Sequence, residues 1–142
     1  MLSMTWIFIV HTASTLFMCG LCWFVQLVHY PLFLSIREED FSDYEKKNFV
    51  TAYLTVPVMT VEMLTGLYLV YQNQEPLYLI NTGLLIVIAL STAFLQVPYH
   101  LKLMQVADRT LIKKLIRTNW IRTLSWTIRM VILCVLLDQY MK

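Results

Sequence analysis

Apolar residues fill four long runs, residues 4–33, 49–71, 77–103 and 115–140, each reaching the ~20 residues a helix needs to cross a hydrocarbon core. The stretches between them are short and polar. Residues 36–47, IREEDFSDYEKK, are the strongly charged segment and predict a short interfacial helix. Residues 72–76 predict a tight turn, and residues 105–114 a basic connection. The pattern predicts an all-α, integral membrane four-helix bundle in a single domain over residues 1–142.

The fourth run breaks its own apolar character in a regular way. Asn119, Arg122, Trp126 and Arg129 follow at intervals of three, four and three, which puts them on one stripe of a helix. A guanidinium near the bilayer centre costs at least ~2.5–3.5 kcal/mol on insertion scales, so both arginines must face partners or a polar cavity rather than lipid. The last helix therefore reads as one wall of a buried polar site.

Sorting the polar residues of the other runs by depth gives two layers. A layer near the charged loops holds Gln26, His29, Gln96, His100, Asn119 and Arg122; a midplane layer holds Glu62, Arg129 and Trp126. An unpaired carboxylate and an unpaired guanidinium at one depth are each costly, so an ion pair between Glu62 and Arg129 is the expected arrangement. His11 shares a face with His29 but lies roughly 27 Å from it along the helix, too far to share a ligand.

His29 and His100 have two readings, as interfacial histidines bonded near head groups or as a site for a ligand or proton transfer. As ligands they would suit a transition metal, or a haem held from both faces. Glu62 could join them as a third metal ligand only if the second helix sat deeper, since it lies ~10 Å or more away along the membrane normal. Tyr30, Tyr99 and Trp120 flank the same layer, either as an aromatic belt or as walls for a flat, quinone-like molecule. Glu38, Glu39, Asp40, Asp43 and Glu45 read as a solvated face, and the methionines as packing.

Composition narrows the class. The chain is 58% apolar with a formal net charge of +2 and has a positive mean hydropathy. No basic patch is interleaved with aromatics outside the spans, which excludes a nucleic-acid partner. Cys19, Cys22 and Cys134 all fall in apolar runs. The C-x-x-C spacing of the first two lacks a second pair, and helix packing is the expected role. No basic segment precedes the first run, which is therefore read as a spanning helix rather than a signal peptide. Arg37, Lys46, Lys47, Lys102, Arg109, Lys113, Lys114 and Arg117 border the first and third loops, against Lys142 on the other side. The positive-inside rule then makes those loops cytoplasmic and puts both termini outside. The segments QLVHYPLF (residues 26–33) and QVPYHLKL (residues 96–103) echo one another and suggest two related helical hairpins.

Gly20, Pro31, Pro98, His100, Leu103, Asn119, Trp120, Arg122, Trp126 and Arg129 together resemble the anthrone oxygenase-like family of small four-helix membrane proteins. That resemblance covers nearly the whole chain and implies a four-helix fold. It also implies an oxidation of the kind by which some members turn an anthrone into an anthraquinone with molecular oxygen. The chain departs from the family pattern in carrying His100 where members often have asparagine, and W-T-x-x-R at residues 126–129 in place of W-N-x-x-R.

The expected function is that of a membrane oxidoreductase or oxygenase, with a lipophilic aromatic or quinone-like ligand in a pocket open to the cytoplasm. His29, His100, Asn119 and Arg122 are the candidate catalytic groups. Gln26, Tyr30, Glu62, Gln96, Tyr99, Trp126 and Arg129 are the candidate pocket residues. The expected partners are membrane lipid and that ligand, with a homo-oligomer as a further candidate. A transporter or proton pathway built on the same buried residues, and a structural subunit of a membrane complex, are the alternatives. Ala13 with Phe17 and Ser91 with Leu95 fail to form the small-residue seam that a subunit role favours.

Overall fold

The computed structural model describes residues 3–140, so Lys142 and its part in the charge count lie outside the described residues. Among the described residues the chain is helical with no strands. The helices are α1 (Met4–Ser35), α2 (Glu38–Asn48), α3 (Ala52–Gln72), α4 (Pro76–Leu103) and α5 (Arg109–Tyr140). α2 continues into α3 through a single 3₁₀ turn, Phe49–Thr51, so that Glu38–Gln72 is one helical run. Four helices are long and apolar enough to cross a bilayer, consistent with an integral membrane protein.

Local chemistry sets the ends. Pro76 opens α4 where a missing N–H costs nothing. The Asp108 carboxylate accepts from the Thr110 and Leu111 amides at 2.7 and 3.2 Å and so starts α5 at Arg109, six residues before the expected span. α1 and α4 each contain one π-helical turn, Val25–His29 and Thr92–Gln96. The Tyr30 amide reaches back five residues to the Val25 carbonyl, and the Val97 amide to that of Thr92. A proline stands two residues beyond each turn, Pro31 and Pro98. Proline has no N–H for the carbonyl four residues back and its ring crowds that carbonyl, which the wider turn relieves. The structural equivalence thus runs through the prolines and matches His29 with Gln96. The echo aligned on the glutamines is offset from it.

α1 and α4 each pack on both α3 and α5, forming a ring of four. Phe8, Leu69, Leu133 and Leu136 fill one end; Met18, Cys19, Cys22, Ile88 and Trp126 the middle; Tyr30, Phe33, Phe41, Leu103, Ile112 and Leu115 the other end. Leu64 and Phe94 point outward at 64% and 72% exposure, as lipid-facing side chains should. α4 packs on α3 chiefly along Pro76–Ser91; its π turn and C-terminal end turn to α5 and α2 instead. A gap between α3 and α4 results at that end.

Gly66 permits the close approach of α3 to its neighbours. A β-carbon there would sit 3.1 Å from His11 Cε1 and 3.4 Å from Thr82 Oγ1. Gly66→Val is expected to lower stability by about 1–3 kcal/mol through overpacking, measured as a shift in unfolding by sodium dodecyl sulfate. A variant as stable as the parent would show that the neighbours give way freely.

Candidate functional site

The polar residues form two separate clusters. At the midplane Arg129 Nη1 donates to Glu62 Oε1 at 2.8 Å, and neither side chain is exposed. The pair expected from depth alone is therefore formed. Thr15 Oγ1 donates to the same carboxylate at 2.7 Å, and Trp126 Nε1 lies 3.3 Å from Oε2. Arg129 Nε donates to Asn81 Oδ1 at 3.3 Å, and Nη2 to Thr15 Oγ1 at 3.2 Å. His11 joins through Thr65 at 2.8 Å and Asn81 at 3.2 Å. All four spanning helices meet in this closed clasp. Its contributors His11, Thr15, Thr65 and Asn81 are missing from the sequence-based site. His11 lies far along α1 from His29, and Asn81 lies at the depth of Arg129 with no charge to mark it.

The second cluster surrounds a cavity of about 270 Å³ between the C-terminal half of α1, the start of α3, the end of α4 and Arg122 of α5. Of the expected residues, His29, Tyr30, Gln96, His100 and Arg122 line it. Both π turns contribute, Val25 and His29 from one, Thr92 and Gln96 from the other. Such turns recur at functional sites because they re-aim side chains without ending the helix. Leu54 and Val56 of α3 and Val97 of α4, all exposed apolar side chains, are among the lining residues, so the cavity opens sideways through the gap between α3 and α4.

Glu45 organises the polar wall, which corrects its placement on a solvated face. α2 turns Phe41 and Glu45, one turn apart, inward; both are buried, with Glu45 at 0% exposure. Glu38, Glu39, Asp40 and Asp43 do remain on the exposed side. A carboxylate only accepts, and this one takes a hydrogen bond from His100 Nδ1 on Oε1 and one from Asn48 Nδ2 on Oε2 at 3.2 Å. The His100 proton therefore sits on Nδ1. In the neutral imidazole this leaves Nε2 to accept from the Tyr30 hydroxyl, 2.9 Å away. Likewise Asn48, with its amide turned to Glu45, presents Oδ1 to His29 Nε2 at 2.8 Å, so His29 donates there. One carboxylate thus sets a donor nitrogen on each histidine.

This arrangement bears on the metal reading of His29, His100 and Glu62. Both ring nitrogens of His100 are engaged by Glu45 and Tyr30, so ligation by His100 would break the wall. Glu62 belongs to the midplane clasp and does not complete a set with His29 and His100. Among the described residues no three histidine, cysteine or acidic side chains are grouped to hold a metal ion.

The remaining expected residues stand behind the cavity or away from it. Gln26 and Asn119 are buried and bonded to one another at 3.0 Å, with Gln26 also donating to the Ile116 carbonyl at 3.2 Å. Asn119 in turn accepts from Arg122 Nη1 at 3.3 Å. Trp126, Arg129 and Glu62 form the clasp rather than the pocket wall. Tyr99 packs against the Tyr30 and Phe33 cluster. Trp120, 38% exposed, meets Trp23 edge-on at 5.6 Å, the arrangement of an outward-facing pair. Cys19 and Cys22 are buried free thiols near Thr127 and Thr123, and Cys134 is a free, exposed thiol.

Comparison with known proteins gives no match: no family model, no curated protein and no solved structure matches the chain.

Proposed function

We propose that the chain is a membrane oxidoreductase in which the cavity receives a lipophilic aromatic molecule and the Tyr30–His100–Glu45 chain takes a proton from it. The observation that carries this reading is that largely buried chain of hydrogen bonds, set in the wall of a mainly apolar pocket. A hydroxyl bonded to an imidazole, itself oriented by a carboxylate, is a general proton-transfer device. Tyr30 passes its proton to His100 Nε2 as it accepts one from the substrate carbon, and Glu45 stabilises the imidazolium that forms. Arg122 holds the oxyanion that develops on the substrate. Dioxygen takes the electrons; for an anthrone-type ring the balance is one methylene plus O₂ giving one ketone plus water. The resemblance to the anthrone oxygenase-like family supports the same chemistry. The lysines and arginines near α2 and the α4–α5 connection support a cytoplasmic position for that end and the opposite side for both termini.

The test uses anthrone as probe and the full chain in lipid nanodiscs, with oxygen uptake and anthraquinone absorbance followed against empty nanodiscs. The protein is expected to accelerate oxidation, and His100→Gln to lose about 10²–10⁴-fold of that acceleration, the usual worth of a general acid–base group. No acceleration over empty nanodiscs would reject the reading.

A further inference from the structure

The end of the bundle that holds α2 carries cations that no acid among the described residues neutralises. The acids there are already committed: Glu38 to Arg109, Glu39 and Asp40 to Arg37, Asp43 to Lys46, and Glu45 to His100. Asp108 caps α5. Lys113, Lys114 and Arg117, near the start of α5, are exposed and enter no ion pair among the described residues. Arg117 follows one lysine by four residues and the other by three, so like charges repel along one side of the helix. Their depth says what anion could relieve this. With Arg129 at the midplane of a core ~30 Å thick, the hydrocarbon ends about ten residues away, near Asn119. Arg117, Lys114 and Lys113 lie roughly 3–9 Å beyond that boundary, at the level of lipid phosphates. Just below them α1 and α5 are tied side by side. Gln26 Nε2 donates to the Ile116 carbonyl at 3.2 Å, Trp23 Nε1 donates to Thr127 Oγ1 at 3.0 Å, and Trp120 meets Trp23 edge-on at 5.6 Å. Ile116, Trp120 and Thr127 thus mark the edge of α5 that meets α1. Lys113 continues that edge one turn further out, with Arg117 beside it.

We propose that the outer seam between α1 and α5 is a binding site for an anionic phospholipid, its phosphate held by Lys113 and Arg117 and an acyl chain laid along Trp120, Trp23 and Leu27. The planar guanidinium matches a phosphate with two parallel hydrogen bonds, and the lysine adds a point charge. The cations select the head group. The apolar line below them selects a lipid over a free phosphate, because Leu27 and Trp120 are 60% and 38% exposed and cover no other part of the chain. Indole rings at the membrane boundary suit this position, with an apolar body against the chain and the N–H edge toward the polar layer. None of these residues lines the cavity, so the site is independent of the proposed oxidation.

The test titrates the full chain in detergent micelles with phosphatidylglycerol and with phosphatidylcholine of the same acyl chains, and counts bound lipid by native mass spectrometry. The parent is expected to retain one phosphatidylglycerol about tenfold or more tightly than phosphatidylcholine. Lys113→Gln/Arg117→Gln is expected to lose that preference. Lys47→Gln/Lys102→Gln removes the same charge from two other exposed lysines at this end and is expected to keep it. Arg117→Lys, which preserves the cation, is expected to retain part of the preference and guards against a double variant that misfolds. Trp120→Ala is expected to weaken retention of both lipids, since it removes part of the bed for the chain. Equal retention of the two lipids by the parent, or a preference surviving in folded Lys113→Gln/Arg117→Gln, would overturn the inference. An equal loss in Lys47→Gln/Lys102→Gln would overturn it too, by showing a diffuse charge effect with no site. Displacement of the lipid by glycerol 3-phosphate as readily as by a second phosphatidylglycerol would show an anion site in which the acyl chain plays no part, and would equally overturn it.

Discussion

Removing either member of the midplane ion pair is expected to destabilise the protein by about 3–5 kcal/mol, the usual cost of leaving one buried charge without its partner. Glu62→Gln leaves the Arg129 guanidinium with Asn81, Thr15 and His11 but no anion. Arg129→Met leaves the Glu62 carboxylate with the Thr15 hydroxyl and the Trp126 indole, at 2.7 and 3.3 Å, but no cation. Each single variant leaves one buried charge with neutral hydrogen-bond partners alone. The double variant Glu62→Met/Arg129→Met removes both charges, and an apolar replacement of a buried pair is often close to neutral. It should therefore be much more stable than the sum of the single losses predicts. Unfolding by sodium dodecyl sulfate, or by heat in a fixed detergent, measures all three. Single variants within about 1 kcal/mol of the parent, or losses that simply add, would show that the pair does not hold the bundle together.

That pair was legible from sequence because charge and depth are both written in the chain. A glutamate in the middle of one apolar run and an arginine at matching depth in another leave the bilayer few ways to accommodate them. The spans were legible for the same reason, since hydrocarbon thickness fixes their length. Glu45 was not, because four other acids surround it in residues 38–45 and a local charge run looks solvated from within. The signal that does separate it is Phe41, one turn earlier on the same face: an aromatic that must be buried carries the glutamate in with it. His11 and Asn81 were hidden by a different cause. A neutral polar residue in a membrane helix has no obligatory partner, so only three-dimensional packing shows that these two close the Arg129 clasp. The π turns had a sequence cue in Pro31 and Pro98, but a proline announces only that the ladder is broken, not how the helix repairs it.

Glu45→Gln is expected to switch the tautomer of one cavity histidine and, with it, to remove about 10²–10⁴-fold of any proton-transfer activity. The carboxylate accepts on both oxygens, and so allows His100 and, through Asn48, His29 to donate toward it. An amide has one oxygen and one NH₂ group and can satisfy only one side in this way. If its oxygen stays with Asn48, its NH₂ faces His100 Nδ1, which must become the acceptor; the proton moves to Nε2 and the Tyr30 oxygen has to accept instead of donate. If its oxygen stays with His100, Asn48 must turn its own oxygen to the new NH₂ and its amide to His29, and it is His29 that changes tautomer. Nitrogen-15 chemical shifts of the two rings read these states directly, without reference to any substrate. A shift exchange at one histidine, in protein of parental stability, is the expected result. Both rings unchanged in a folded Glu45→Gln variant would mean that Glu45 does not set the proton positions of the wall, and the chain from Tyr30 to Glu45 would then be packing rather than a relay.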